Sequence, residues 1–302
     1  MIILHRLLWF GVLYTIFVSL LFGFSSADGS WAGSEGVLLT GGEQGAVQYD
    51  EYIEDTDIFT LLDRMAHTSL SPNISMHLFE AKPGAILSPD AILPVPEVIY
   101  VMEGAANVTA DEEQILANAG DAAYIPAHKT RKFETAGNET LRFFSIIDWD
   151  SAEESENLTD ANNTTNPTRD DILVMSEDTV APNIFGNTSS NEAYTFYRLL
   201  HPLEGPYNIS YDMGTILLAN GSVIPDHYIE DRYQLITILS GAGNISVGCV
   251  VHPVYQGDMM YAAPGSVLNI SANEDMHMMM MTNPFYQAQY DRPIPNACDL
   301  IM

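Results

Sequence analysis

Apolar residues in this chain fall in short runs, each closed by Gly, Pro or Asn, and do not recur at the spacing of a helix face. In the first half the runs are ISMHLFEA (74–81), EVIYVMEG (97–104), QILANAGDAAYIPA (114–127) and LRFFSIIDW (141–149). A second series reads YTFYRLL (194–200), MGTILLA (213–219), YQLITILSG (233–241), CVVHPVY (249–255), DMMYAAPG (258–265) and MHMMMM (276–281). Their β-branched and aromatic content predicts antiparallel strands, and strands in such number close into barrels that hide their edges. The two series also share a frame. Gly84, Gly104 and Gly120-Asp121 recur as Gly221, Gly241 and Gly257-Asp258, 137 positions later each time, and EGAANVT (103–109) answers SGAGNIS (240–246). A period this long means a compact β unit present twice, since a solenoid repeats at shorter intervals.

The rest of the pattern divides the chain. Residues 58–150 and 193–290 are the two units. Residues 28–57 are rich in Gly and acid and read as a flexible lead-in, while 151–192 opens with SAEESENLTDANNTTNPTRDD, too poor in large apolar residues to order itself, and reads as an acidic linker. Residues 291–302 form a tail. At the start, an uninterrupted apolar run from Leu7 to Phe24 precedes Ser25-Ser26-Ala27, so 1–27 is a signal peptide or, if uncleaved, a signal anchor. Either reading places the remainder in the ER lumen or outside the cell. Asn-x-Ser/Thr acceptors, among them Asn73, Asn107, Asn157, Asn187 and Asn208, agree with a secreted glycoprotein.

Composition narrows the partners. The 302 residues are 47% hydrophobic, enough for two cores, and carry 40 acidic against 11 basic side chains, a formal charge of −29. Such a surface repels phosphate backbones and anionic lipid, which excludes nucleic acid and, apart from an N-terminal anchor, membrane. With two cysteines, Cys249 and Cys298, disulfides are not the framework of the fold. In an oxidising compartment the pair would tie the tail to the second unit if they come within bonding distance, which the sequence leaves open.

The glycine motifs carry a resemblance. Gly84, Glu97 and Gly104 followed by GDAAYIPAHKTRKF, and Gly221 and Gly241 followed by GDMMYAAPGSVLNI, resemble the two motifs of the cupin family. This implies an all-β chain of two tandem cupin double-stranded β-helix (jelly-roll) barrels, a bicupin. The order from PEVIYVMEGAANVT through ITILSGAGNISVG is further similar to the bicupin (S)-ureidoglycine aminohydrolases, which use Mn2+ in the C-terminal barrel to release ammonia from ureidoglycine. That family's metal-binding glutamate, two histidines and glutamine fall on Tyr228, Glu230, Gln234 and Leu268. The general cupin formula, one residue out of register, falls on His227, Ile229, Gln234 and Leu268. A one-residue slip reverses the face of every side chain, so His227 and Glu230 share the interior only across a bulge. The resemblance thus implies Mn2+ held by Glu230 and Gln234, with Tyr228 or His227 beside them, although Leu268 offers no donor. His277 lies near the position of a substrate-contacting side chain on the family's last strand.

In the first unit the same formula falls on Asp90, Ile92, Glu97 and Arg131. A guanidinium there repels a cation, so Glu97 and Arg131 read as an internal ion pair or as a contact for a carboxylate ligand. His128 stands where cupins turn with Gly. His201 and His252, each beside a proline, read as loop or exposed turn residues, and the Met276–Met281 methionines read as core filler in a closing strand. Three functions stay open: a manganese aminohydrolase, a metal-free binder of a small molecule in the C-terminal barrel, and a glycosylated structural scaffold. A homo-oligomer is compatible with each.

Overall fold

The structure, a computed structural model, describes residues 37–39, 56–62, 73–87, 92–149, 151, 171–186 and 191–298. The expected signal or anchor and Asp90 lie outside these residues. In chain order the strands are β1 (Val37–Leu39), β2 (Thr56–Leu62), β3 (Ile74–Ala81), β4 (Ile86–Leu87), β5 (Glu97–Glu103), β6 (Ala105–Ala110), β7 (Glu113–Asn118), β8 (Asp121–Ile125), β9 (Arg131–Thr135), β10 (Leu141–Asp148), β11 (Leu173–Ser176) and β12 (Pro182–Phe185). The second series is β13 (Tyr194–Leu200), β14 (Asp212–Leu218), β15 (Val223–Ile229), β16 (Tyr233–Ser240), β17 (Ala242–Val247), β18 (Val250–Tyr255), β19 (Met259–Ala262), β20 (Leu268–Ala272), β21 (Met276–Asn283) and β22 (Asp291–Pro293).

These strands build the two tandem jelly-roll barrels that the duplicated pattern implies. A six-stranded sheet (β11-β8-β5-β10-β3-β2) faces a four-stranded one (β4-β9-β6-β7) in the first, and a seven-stranded sheet (β1-β19-β16-β21-β14-β13-β12) faces a five-stranded one (β18-β17-β20-β15-β22) in the second. The repeat is visible residue by residue: β6 and β17, 137 positions apart, bury the same alternate side chains, and so do β7 and β18. Gly104 and Gly241 turn the chain from β5 into β6 and from β16 into β17 at φ +74° and +83°, and a Cβ on either would meet a carbonyl oxygen, Thr140 O at 2.6 Å or Asp275 O at 2.1 Å. Only glycine fits such a turn.

Burial on two faces explains the unbroken apolar runs. Within β5, Ile99 and Val101 point into the first barrel while Val98 and Tyr100 point out of it. Within β21, Met276 and Met278 point into the second barrel, and Met279 and Met281 point out. The outward sets meet in one shared core between the large sheets, joined there by Leu78, Phe144, Leu235 and Tyr261. A sheet covered on both sides loses the polar half of the alternation. The methionine run is therefore core filler, as expected, but of two cores.

Two boundaries differ from the sequence reading. The lead-in 28–57 contributes β1, which pairs with β19 of the second barrel, and the end of the linker contributes β11 on β8 and β12 on β13. Backbone pairing to an open sheet edge needs no apolar side-chain pattern, and so left no mark in composition. Cys249 and Cys298 are disulfide-bonded, with Cα atoms 5.3 Å apart.

Candidate functional site

The second barrel encloses a cavity of about 60 Å3 at the end where β13 finishes and β14 and β16 begin. The period of two supplies its walls. Tyr194, Phe196 and Arg198 face it from β13, Asp212 and Ile216 from β14, Gln234 from β16, and Met280 and Thr282 from β21. Gly214, between the two β14 positions, makes room: a Cβ there would lie 2.5 Å from the Phe196 ring and 2.4 Å from Tyr197 O.

β15 settles the register question. Ile224 pairs with Ile270 and His227 with Leu268, so β15 spends one more residue than β20 across that interval. The bulge brings Ile224, His227 and Ile229 to the cavity. Tyr228 and Glu230 consequently face the other way, a correction to their expected place in the pocket. Glu230 instead receives Arg292 Nε at 3.1 Å and Nη2 at 3.2 Å, and this guanidinium holds its carboxyl below the usual range. Leu268 is fully buried among the core residues. His277, at an odd position of β21, points out of the barrel into an open cleft of about 410 Å3, where its Nε2 meets Glu177 Oε1 at 3.0 Å. Of the six expected pocket positions, the cavity receives His227 and Gln234.

That set does not fit manganese. A hard divalent ion needs several oxygen or imidazole donors converging on one point, and Ile229 and Leu268 stand at two of the positions expected to supply them. Among the described residues no three His, Cys, Asp or Glu side chains gather closely enough to hold a metal ion. His227, whose Nδ1 lies 2.9 Å from Pro225 O, and Gln234, whose Nε2 donates to the Met280 thioether at 3.4 Å, remain as two potential ligands, too few for such an ion.

The sequence reading missed the segment that closes the cavity. Residues 284–298 cross the barrel mouth as a strap: Tyr286 N donates to Asp212 Oδ1 and Tyr286 Oη to Asp291 Oδ2, both at 3.0 Å. β22 pairs with β15, Arg232 stacks 3.7 Å above the Tyr290 ring, and the disulfide ties Cys298 to the β17–β18 turn. His201 lies in the loop after β13, as expected, and is buried there beneath the strap, edge-on to Phe285 at 5.2 Å. His252 lies within β18. Burial pushes the Asp212 carboxyl up to about 6, against the opposing pull of Tyr286 N–H, His201 and Arg198. The available sequence signal was Gly214 inside an apolar strand, which marks a close approach.

The described interior of the first barrel is plugged by a buried ion pair. Glu97 meets Arg131 Nε at 2.8 Å, both more than nine-tenths buried, and accepts a hydrogen bond from Ser145. Burial raises the Glu97 carboxyl while Arg131 and Ser145 pull it down. Around this pair Phe79 stacks on Phe143 at 4.8 Å and Phe133 tilts against Phe143 at 5.3 Å, filling the barrel. His128 turns the chain at φ +63°, matching Gly265 in the second barrel.

Residues 77–147 match the cupin domain family. No curated protein sequence matches the chain. Among solved structures, a Pseudomonas aeruginosa protein described as glyoxylate-induced superposes with a TM-score of 0.66 at 15% identity, over 86% of this chain and 93% of that one. Vicilin of hazelnut, Corylus avellana, gives 0.61 at 16% over 81% and 84%. Oxalate decarboxylase of Bacillus subtilis, which has Mn(II) centres, gives 0.59 at 14% over 79% and 74%. At these identities the likeness establishes the fold alone.

Proposed function

We propose that the C-terminal barrel of this tandem cupin fold is a metal-independent binding site for a small organic molecule, and that the N-terminal barrel is a structural partner. The observation that carries this is the cavity walled by Asp212, His227, Gln234 and four aromatic rings, set beside a first barrel filled by its own side chains. A mostly apolar hollow with a few polar groups aimed inward is the general form of a small-molecule site. A tandem-barrel fold does not select between catalysis and storage, so the donor set decides. That set counts against the manganese aminohydrolase suggested by the sequence motifs.

Thermal-shift screening of the purified luminal part against a metabolite panel tests the proposal, because a molecule that binds only the native state raises Tm. A ligand whose shift vanishes in Ile216→Phe supports the site. Bound manganese in stoichiometric amount, with ammonia released from ureidoglycine, would replace this reading with the enzyme. Location in the secretory pathway is part of the proposal, supported by the N-terminal apolar run and by the disulfide, a bond that persists in oxidising compartments. A mobility shift on glycosidase treatment is the expected result.

A further inference from the structure

We propose that the molecule held in the C-terminal barrel is a small organic ammonium ion with N–H donors, gripped by the carboxylates of Asp212 and Asp291 and by the carbonyl of Gln234. This rests on the binding-site reading above and names the ligand class.

The spare hydrogen-bonding capacity of the wall is of one kind. Pro225 O can only accept, so the His227 nitrogen facing it at 2.9 Å carries the hydrogen, and in that tautomer Nε2 is an acceptor. The Met280 thioether likewise has no donor. The Gln234 amide nitrogen is therefore the end that contacts it, leaving the carbonyl oxygen of this buried side chain for the cavity. Asp212, 4% exposed, accepts from Tyr286 N and from its own backbone N–H, Asp291 accepts from Tyr286 Oη, and each carboxylate has acceptor capacity beyond these bonds. Four neighbouring groups thus present acceptors, and an ammonium supplies the donors.

Charge points the same way. The cation in the wall, Arg198, has its charge opposed by Glu204 at 2.5 Å, so Asp212 and Asp291 leave the cavity net negative in a chain of formal charge −29. Arg198 Nε is buried without a hydrogen-bond partner among the described residues, and a hydroxyl or carbonyl on the ligand would satisfy it. Phe185, Tyr194 and Phe196 line the cavity beside these acceptors, with Phe185 stacked on Tyr194 at 5.3 Å and Arg198 lying 5.9 Å over the Phe196 ring. The raised carboxyl of Asp212 is what burial without a full counter-charge produces, and a bound cation would relieve it. A cavity of about 60 Å3 restricts the ion to a few heavy atoms or to one end of a longer molecule.

Matched pairs test the charge alone: butylamine against 1-butanol and benzylamine against benzyl alcohol, titrated calorimetrically at pH 7.5 and physiological salt. The amines are expected to bind at least tenfold more tightly than their alcohols. Asp212→Asn should remove most of that gap, and Ile216→Phe should abolish binding of both. Asp291→Asn, on the strap, repeats the test should Asp212→Asn not fold. Equal affinity for amine and alcohol, or amine binding that survives both Asn variants or Ile216→Phe, overturns the ammonium assignment and leaves the binding site standing. Failure of these probes while a neutral molecule from the metabolite panel binds does the same. Failure of every compound overturns both.

Discussion

The two barrels are the same object filled differently. Glu97, Arg131 and Phe133 of the first correspond to Gln234, Leu268 and Ile270 of the second at the common spacing of 137, and Phe79 corresponds to Ile216. The loop before β21 (273–275) is two residues shorter than that before β10 (136–140), so on the closing strands Phe143 corresponds to Met278 and Ser145 to Met280. Three rings that interlock in the first barrel become Ile216, Ile270 and Met278. The ion pair with its serine becomes an amide resting on a thioether. One barrel used a buried salt bridge to plug its centre; the other dispensed with both charges and kept a hollow. A cupin barrel thus tolerates a charged, an apolar or an open interior as long as the glycine turns and the shared core are retained.

The largest effect expected from transplanting one interior into the other is at the ion pair. Arg131→Leu alone strands Glu97 in a dry core and should lower stability by about 3–5 kcal/mol. The double variant Glu97→Gln with Arg131→Leu installs the second barrel's pair and should recover most of this loss, as measured by chemical denaturation. No recovery would mean that the pair sets the barrel's shape and does not merely fill it.

Next comes the strap, which has no described counterpart in the first barrel. Cys298→Ser opens a link spanning 49 residues. Loop entropy sets an upper figure of about 4 kcal/mol for its loss, and hydrogen exchange of residues 284–298 should rise ahead of the barrel strands. Strap exchange that stays as slow as that of β21 would show that β22 pairing and Arg232 suffice.

Asp212 gives a pH test. Its carboxyl is pushed up to about 6 from an ordinary 3.8, so it contributes stability that is fully present below pH 3.8 and is lost as pH rises through about 6. Asp212→Asn should match the parent near pH 4 and exceed it by about 3 kcal/mol at pH 7.5 without ligand, with Arg198, His201 and Tyr286 unchanged around it. A difference that does not vary with pH would place the parent's carboxyl near its ordinary range. The smallest effect belongs to Ile216→Phe, which restores the first barrel's ring at the cost of about 1–3 kcal/mol of overpacking and removes ligand binding.

Much of this was legible in the chain. The spacing of Gly104 and Gly241 announced two copies, because a positive-φ turn against a neighbouring carbonyl admits no other residue. The Glu97–Arg131 pair was readable because a guanidinium cannot share a cation site. The site itself was half legible. His227 and Gln234 were found from their place in the motif, whereas Glu230 and Tyr228 were misplaced because a single bulge in β15 inverts the faces that follow it. Asp212, Arg198 and Tyr286 carry no motif, and they matter through contacts between segments far apart in sequence.

The sequence by itself determined the duplication, the strand-rich architecture and the residue types available to each interior, because turn geometry and side-chain chemistry are local properties. Tertiary structure alone decided which of those residues face the hollow. It also decided that a C-terminal strap closes that hollow and that the lead-in and linker complete the sheets. Register, bulges and edge pairing are set by backbone hydrogen bonds between distant segments, and these impose no requirement on any single side chain.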